Sequence, residues 1–280
     1  MKQKVMVTPP KSCFIMSVYK KDNVEFLRLA LESMRSQTYK NLHYLIMQDG
    51  TLPRELIEEL NKFERTVDNV VLFRRNVNMG LATSLNELIE FALEKEFAYI
   101  ARMDSDDICK PFRIEKQVKF LEEQLAVDVL GGACQEFDST MAKEYKCPEL
   151  SHNNLVSKLV RQCPFIHPTV MFRARLFKDK DLFYPTNTAL TEDMALWVKL
   201  FRSGAVFANL PDILIEYRLS EETLIRRKGI KKAFDEAVMR WRVIPLLDSN
   251  KIKNYTHVLM LFGLRVMPVQ MSKLIYKYLR

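Results

Sequence analysis

Through the first half of this chain, short unbroken apolar runs take turns with segments whose apolar residues recur at helical spacing. Residues 13–18, 43–47, 70–73 and 97–101 are such runs, the pattern of strands buried on both faces. Between the first two, Phe26, Leu27, Ala30, Leu31 and Met34 mark one face of a helix from Val24 to about Gln37, with Asp22 or Asn23 as its cap. Pro53 opens a second helix to about Glu64, and residues 81–95 form a third. Pro111 starts another through Glu123, and residues 127–130 make a further strand.

This alternation predicts an α/β fold with a mostly parallel central sheet flanked by helices. In such sheets ligands bind beyond the carboxyl ends of the strands. Three polar clusters fall at that edge: Ser17 to Tyr19, Asp49 to Thr51, and Asp104 to Asp107. Residues 132–190 are less regular, with weak hairpin signals and a helix near 153–161. A helix over 193–202 and a strand pair at 206–209 and 213–218 follow, and from Gly229 onward the pattern is helical.

Asp104, Asp106 and Asp107 crowd three carboxylates into four residues directly after the run 97–101. Like charges this close raise one another's pKa unless a cation neutralises them. A hard, oxygen-preferring ion such as Mn2+ or Mg2+ suits them. Read in isolation, the same residues also make an Asp-rich turn capping the next helix.

The net charge of +8 is uneven. Residues 1–220 carry 30 basic and 30 acidic side chains, whereas residues 221–280 carry 13 against 5. A neutral body with clustered acids disfavours nucleic acid, which selects a basic face. The five cysteines are scattered without a CxxC pair, which argues against a disulfide framework or a zinc site and for a reducing compartment. Residues 1–11 lack an apolar segment of signal-peptide length, and the apolar stretch 258–264 is stopped by Arg265 and Pro268, too short to span a membrane. Neither GxGxxG nor GxxxxGK[ST] occurs, which weighs against a dehydrogenase or a P-loop NTPase.

An ordered set of short motifs resembles the family 2 glycosyltransferases, inverting enzymes with the GT-A nucleotide-sugar-binding fold. The set runs from Ser17-Val-Tyr19 and Ser36-Gln-Thr-Tyr-Lys-Asn-Leu42 through Asp49-Gly-Thr51 to Asn78-Met-Gly80, with Ser84 and Asn86 beyond. Next come Arg102-Met-Asp104-Ser-Asp106-Asp107 with Pro111, and last Glu192-Asp193 with Leu196-Trp197. Three departures stand out. Gln48 replaces the first of two acids before Gly50, Lys20 stands where Asn is common, and residues beyond Ser220 match loosely.

The resemblance implies a GT-A domain over 1–220, with a nucleotide-binding half at about 12–110 and an acceptor half at 111–220. A basic helical extension follows at 221–280. It implies that Asp106 ligates the metal directly, while Asp104 reaches the ion, the ribose or the sugar. Asp49 would read the uracil ring through its N3–H. Tyr19 would stack on the base, or is simply an aromatic packed at a strand end. Ser17, Asn78, Gly80 and Ser84 would complete the donor site around a helix N-terminus, where turn and capping chemistry is the plainer alternative. Arg102 pairs with Asp104 or a phosphate, or braces the loop.

Asp193 would be the general base, with Glu192 and Trp197 on the acceptor; adjacent acids at a helix start otherwise complement its dipole. His167 before Pro168 reads as part of a structural turn. Residues 237–241 half-match the QxxRW signature of processive synthases but lack its Gln, so addition of single sugars is expected.

The expected reaction moves one hexose or N-acetylhexosamine from a UDP-sugar to a glycan acceptor, expected to be lipid-linked. The biological setting implied is lipopolysaccharide, capsule or exopolysaccharide synthesis. Metal-dependent sugar nucleotidyl transfer is the competing chemistry, but Ser17–Lys21 lacks the Gly- and Arg-rich loop such enzymes carry. A non-catalytic membrane-surface module is the third reading. Lys273, Lys277 and Arg280 at i, i+4 and i+7, with basic clusters at 226–228 and 231–232, suggest peripheral attachment to an anionic inner membrane face. Packing of that face on the body or on a second subunit is the alternative.

Overall fold

A computed structural model describes residues 8–188, 192–219, 230–247 and 250–266. Its eight-stranded sheet has the order β3-β2-β1-β4-β7-β6-β8-β5. At its centre β1 (Ser12–Val18) lies parallel to β2 (Leu42–Asp49) and β4 (Tyr99–Arg102), and β3 (Val70–Arg75) lies parallel to β2. All four therefore end at one edge, and Val18, Asp49 and Arg102 bring their following loops together there.

The unbroken apolar runs follow from double-sided burial. Along β1, Cys13 and Ile15 join one core cluster while Phe14, Met16 and Val18 join the other. Helices α1 (Val24–Arg35) and α2 (Arg54–Thr66) cover the second face with α4 (Arg113–Glu123). Helix α3 (Leu81–Glu94) covers the first, together with α6 (Glu192–Arg202), which follows the short α5 (His152–Lys158). Asn23 is the cap of α1, its side chain accepting from the backbone N–H groups of Glu25 and Phe26.

Beyond β4 the sheet changes direction. Strand β7 (Met171–Arg173) runs antiparallel between β4 and β6 (Val129–Phe137), and β8 (Phe207–Arg218) lies parallel to β6 with β5 (Ile108–Cys109) antiparallel at its outer edge. Two sequence expectations change here. Residues 207–218 form one long strand instead of a pair, because Pro211 and Asp212 sit in a bulge: Leu210 faces Gly132 and Ile213 faces Ala133. The strand expected to stop at Leu130 continues to Phe137 through Gly131-Gly132. At Gly131 a Cβ would overlap the Asn209 side chain and the Phe165 ring, so glycine here signals close packing and not a break.

The C-terminal helices α7 (Ile230–Val243) and α8 (Lys251–Val266) are not a loose appendage. Val243, Ile244, Leu247 and Val258 are buried in the same cluster as α3 and α6. On α7 the Arg240 guanidinium donates to the carbonyls of Leu159 (3.2 Å) and Val160 (2.7 Å) just past α5. The expected basic clusters at 226–228 and 273–280 lie outside the described residues, as do the side chains of Lys231 and Lys232.

Because Ile244 is fully buried in this shared core, Ile244→Ala should destabilise the whole protein by about 2–5 kcal/mol. Urea unfolding should show one shifted transition. An unchanged main transition, with a separate early loss of C-terminal helix, would defeat the shared-core description.

Candidate active site

The acid loop after β4 is anchored from below. Met103 is buried, and its backbone N–H donates to the Ile15 carbonyl at 3.1 Å. The fully buried Arg113 donates to the Arg102 carbonyl at 2.8 Å and to Cys109 Sγ at 3.2 Å. Arg102, itself buried, grips both carboxylate oxygens of Asp104. Of the alternatives open for Arg102, the pairing with Asp104 is the one the structure contains.

Arg218, at the end of β8, clamps the loop from the side. Its Nε donates to the Asp106 carbonyl at 3.0 Å, and another guanidinium nitrogen reaches Asp138 at 2.8 Å. The guanidinium carbon lies 3.6 Å from the Phe26 ring centroid and 4.4 Å from that of Phe137. The Arg218 backbone N–H donates to Asp107 Oδ1 at 2.8 Å.

Held this way, Asp104, Asp106 and Asp107 bring carboxylate oxygens within 4.8 Å of one another. Burial raises the Asp107 pKa well above the carboxylate range, with repulsion from Asp104 and Asp106 adding to it. Its Oδ2 is buried without a hydrogen-bond partner. An orphaned carboxylate oxygen inside a repulsive cluster is the environment that a divalent cation relieves, so these residues fit a Mn2+ or Mg2+ site.

Asp22 belongs to the same group and was assigned at most a capping role from sequence. Its carboxylate accepts from the Tyr19 N–H (3.1 Å) and the Ser105 hydroxyl (2.9 Å). Burial pushes its pKa up to about 7, and Asp106 and Asp104 push the same way. Since Asn23 caps α1, the acid beside a competent cap was the legible signal.

At the end of β2, Asp49 organises the turn into α3. Its two oxygens accept from Arg75 Nε (2.9 Å), Asn78 Nδ2 (3.1 Å), Met79 N (2.8 Å) and Gly80 N (2.9 Å). With both oxygens engaged in this way, Asp49 shapes the wall of the cavity it borders. Gly80 adopts φ +88° at the start of α3, a conformation that favours glycine. Ser84 departs from expectation: it is fully buried, donating to the Gly80 carbonyl (3.0 Å) and accepting from Arg75 (2.6 Å), so it does not face a donor.

Glu192 and Asp193 begin α6, with Asp193 Oδ1 accepting from the Met194 N–H at 2.6 Å. Trp197, expected on the acceptor, is fully buried one turn further on. It packs against Phe165 (4.8 Å between ring centroids) and His167 (5.7 Å), beneath the floor. The reason is helical: Leu196, Trp197 and Leu200 form the apolar face that α6 turns to the core. His167 sits in a 3-10 turn with Nε2 2.8 Å from the Tyr184 hydroxyl. Burial, and then the nearby Arg102 charge, hold its pKa well below the usual imidazole value, so it is neutral.

One cavity of about 790 Å3 joins these groups. Ser17, Tyr19, Asp49, Asn78, Gly80, Arg102, Asp104 and Asp106 border it, and so do Glu192, Asp193, His167 and Phe165. Glu236 and Arg240 of α7 also border it, joined to each other by a 2.8 Å ion pair. Sequence reasoning passed over Glu236 and met Arg240 only within the half-match at 237–241. Their i, i+4 spacing on one helix was the available hint.

Residues 13–182 match the family model described as glycosyl transferase family 2. The chain is a family 2 glycosyltransferase. It is 32% identical over 274 residues to an uncharacterized glycosyltransferase of Haemophilus influenzae, covering 95% of this chain and 98% of that one. It is 31% identical over 230 residues to an Escherichia coli UDP-Gal:alpha-D-GlcNAc-diphosphoundecaprenol beta-1,3-galactosyltransferase, covering 81% of each.

Among solved structures, Staphylococcus aureus TarS 1–349 in complex with UDP-GlcNAc superposes with a TM-score of 0.67 at 15% identity, over 90% of this chain and 72% of that one. A longer TarS structure is covered to 43% of its length. The Pyrobaculum calidifontis mannosyltransferase PcManGT, with GDP-Man and Mn2+, gives 0.64 at 12% identity, over 97% and 80%. These likenesses establish that the family 2 glycosyltransferase has the GT-A fold.

For this glycosyltransferase the wall-building role of Asp49 has a direct check. Asp49→Asn puts an NH2 group against backbone N–H donors and should cost about 1–3 kcal/mol of stability. Chemical denaturation measures it. A carboxylate that served only to read a base would give wild-type stability with the same substitution.

Proposed function

We propose that this glycosyltransferase moves a single hexose or N-acetylhexosamine from a UDP-sugar onto a hydroxyl of a lipid-linked glycan, inverting the anomeric centre. The setting we propose is bacterial lipopolysaccharide, capsule or exopolysaccharide synthesis. The observation that carries the reading is one cavity bordered both by the acid loop and by Glu192 and Asp193. Support for the donor and acceptor classes comes from the names of the E. coli relative and the TarS complex. The Mn2+ complex of the mannosyltransferase supports the metal.

In this reading the donor lies in the half built from about 12–110, its nucleotide beside Ser17, Tyr19, Asn78 and Gly80. Asp106, with Asp104 and Asp107, would hold Mn2+ or Mg2+, which when bound neutralises charge on a diphosphate leaving group. Asp193 takes the proton of the acceptor hydroxyl as its oxygen attacks the anomeric carbon. The new C–O bond forms on the face opposite UDP, and the old one breaks with its electron pair leaving on UDP. An α-linked donor thus yields a β-linked product. Glu192 holds the acceptor, and neutral His167 borders the space between donor and acceptor without adding charge.

Asp193→Asn should lower kcat by about 100- to 10,000-fold while UDP affinity stays near wild type. Calorimetry and steady-state kinetics separate the two effects, and a product of retained configuration by NMR would rule the mechanism out.

Asp106→Asn should abolish metal-dependent UDP binding with little change in melting temperature. Arg218→Lys keeps the charge but loses the planar contacts that hold the loop, and should weaken metal affinity about 10- to 100-fold. Full transfer activity in chelator would sink the metal assignment.

A further inference from the structure

Eight of the sixteen exposed large hydrophobic residues among the described residues fall in the last two helices and their connection. On α7, Ile230, Phe234 and Trp241 recur at i, i+4 and i+11, which is one stripe of a helix. On α8, Ile252, Leu259, Met260 and Val266 make a second stripe, and the exposed Lys251 and Lys253 project at its two margins. Each helix already buries its opposite side: Ala233 and Val243 on α7 and Val258 on α8 are in the core. Apolar on both sides is the pattern of an interior helix, yet one side faces outward. Trp241 packs at a tilt against Tyr255 with ring centroids 4.4 Å apart, so the α7 stripe abuts α8.

We infer that this outward face docks on an anionic lipid bilayer. Charge selects the occupant. Residues 251–280 hold six basic side chains and no acidic one, and residues 221–280 carry the molecule's entire excess of positive charge. Apolar side chains flanked by lysines enter the boundary between headgroups and acyl chains while the ammonium groups stay at the phosphates. A symmetric contact with a second copy would set the same basic surface against itself.

The side of α7 that carries Glu236 and Arg240 borders the cavity, so docking through its other side sets the cavity beside the bilayer. That consequence rests on the lipid-linked acceptor proposed above, whereas the docking itself does not and is measured without substrate. No helix among the described residues is long and apolar enough to cross a membrane, so attachment is to one leaflet.

The test uses the full chain with vesicles of phosphatidylglycerol and phosphatidylethanolamine, against vesicles of phosphatidylcholine alone. The protein should co-sediment with the first and not the second. Trp241 is 45% exposed and the other tryptophan, Trp197, fully buried, so a blue shift in emission on adding anionic vesicles reports entry of Trp241. The double variant Phe234→Ser with Leu259→Ser changes exposed positions, and should keep the wild-type melting temperature while weakening vesicle binding about tenfold or more. Ile252→Ser, 78% exposed, repeats the test on an independent site. Equal recovery in the supernatant with both vesicle types overturns the inference. So does vesicle binding that neither variant weakens, or a dimer by ultracentrifugation that the double variant dissolves while vesicles bind nothing.

Discussion

The mutual repulsion of carboxylates at the end of β4, and the arginines that hold them together in spite of it, is the constraint on which the site depends. Asp104, Asp106 and Asp107 follow a strand that delivers them to the same edge as β1 and β2, and Asp22 approaches from the loop after β1. Left alone, such a loop would open to separate its charges. Arg113 pins its start from the core, Arg102 grips Asp104, and Arg218 fixes the Asp106 carbonyl from a distant strand. The cluster is thus crowded by construction, with one oxygen of Asp107 still without a partner.

The stretch of wall after β2 is built by another kind of commitment. Asp49 engages both oxygens with the turn that carries Asn78 and Gly80, and Arg75 links that carboxylate to Ser84 and Glu87. Two side chains that look like ligand contacts from sequence are therefore parts of the frame. Trp197 is a third case. It supports Phe165 and His167 from beneath, so the surface they offer to the cavity depends on a residue that never reaches it.

The C-terminal helices carry two distinct faces. Their buried sides complete the core and one border of the cavity, and their outward sides carry the apolar stripes and flanking lysines. Truncating them would remove Val243, Ile244 and Val258 from a core shared with α6, so the region cannot be treated as a detachable tail.

Sequence alone determined the parallel half of the sheet, because strands buried on both faces must be continuously apolar and their covering helices must show a stripe. It also determined that Asp104 to Asp107 follow a strand, and that Glu192 and Asp193 start a helix. What it did not determine were properties set by neighbours distant in the chain. Pro211 lies in a bulge only because β6 offers a parallel partner, and Gly131 continues a strand only because Asn209 and Phe165 press on it. Asp22, Arg218 and Glu236 reach the cavity from three separate segments that only the fold brings together. Tertiary structure likewise turned Asp49, Ser84 and Trp197 inward, since burial and hydrogen-bond capacity are decided by what packs around a residue and not by its type.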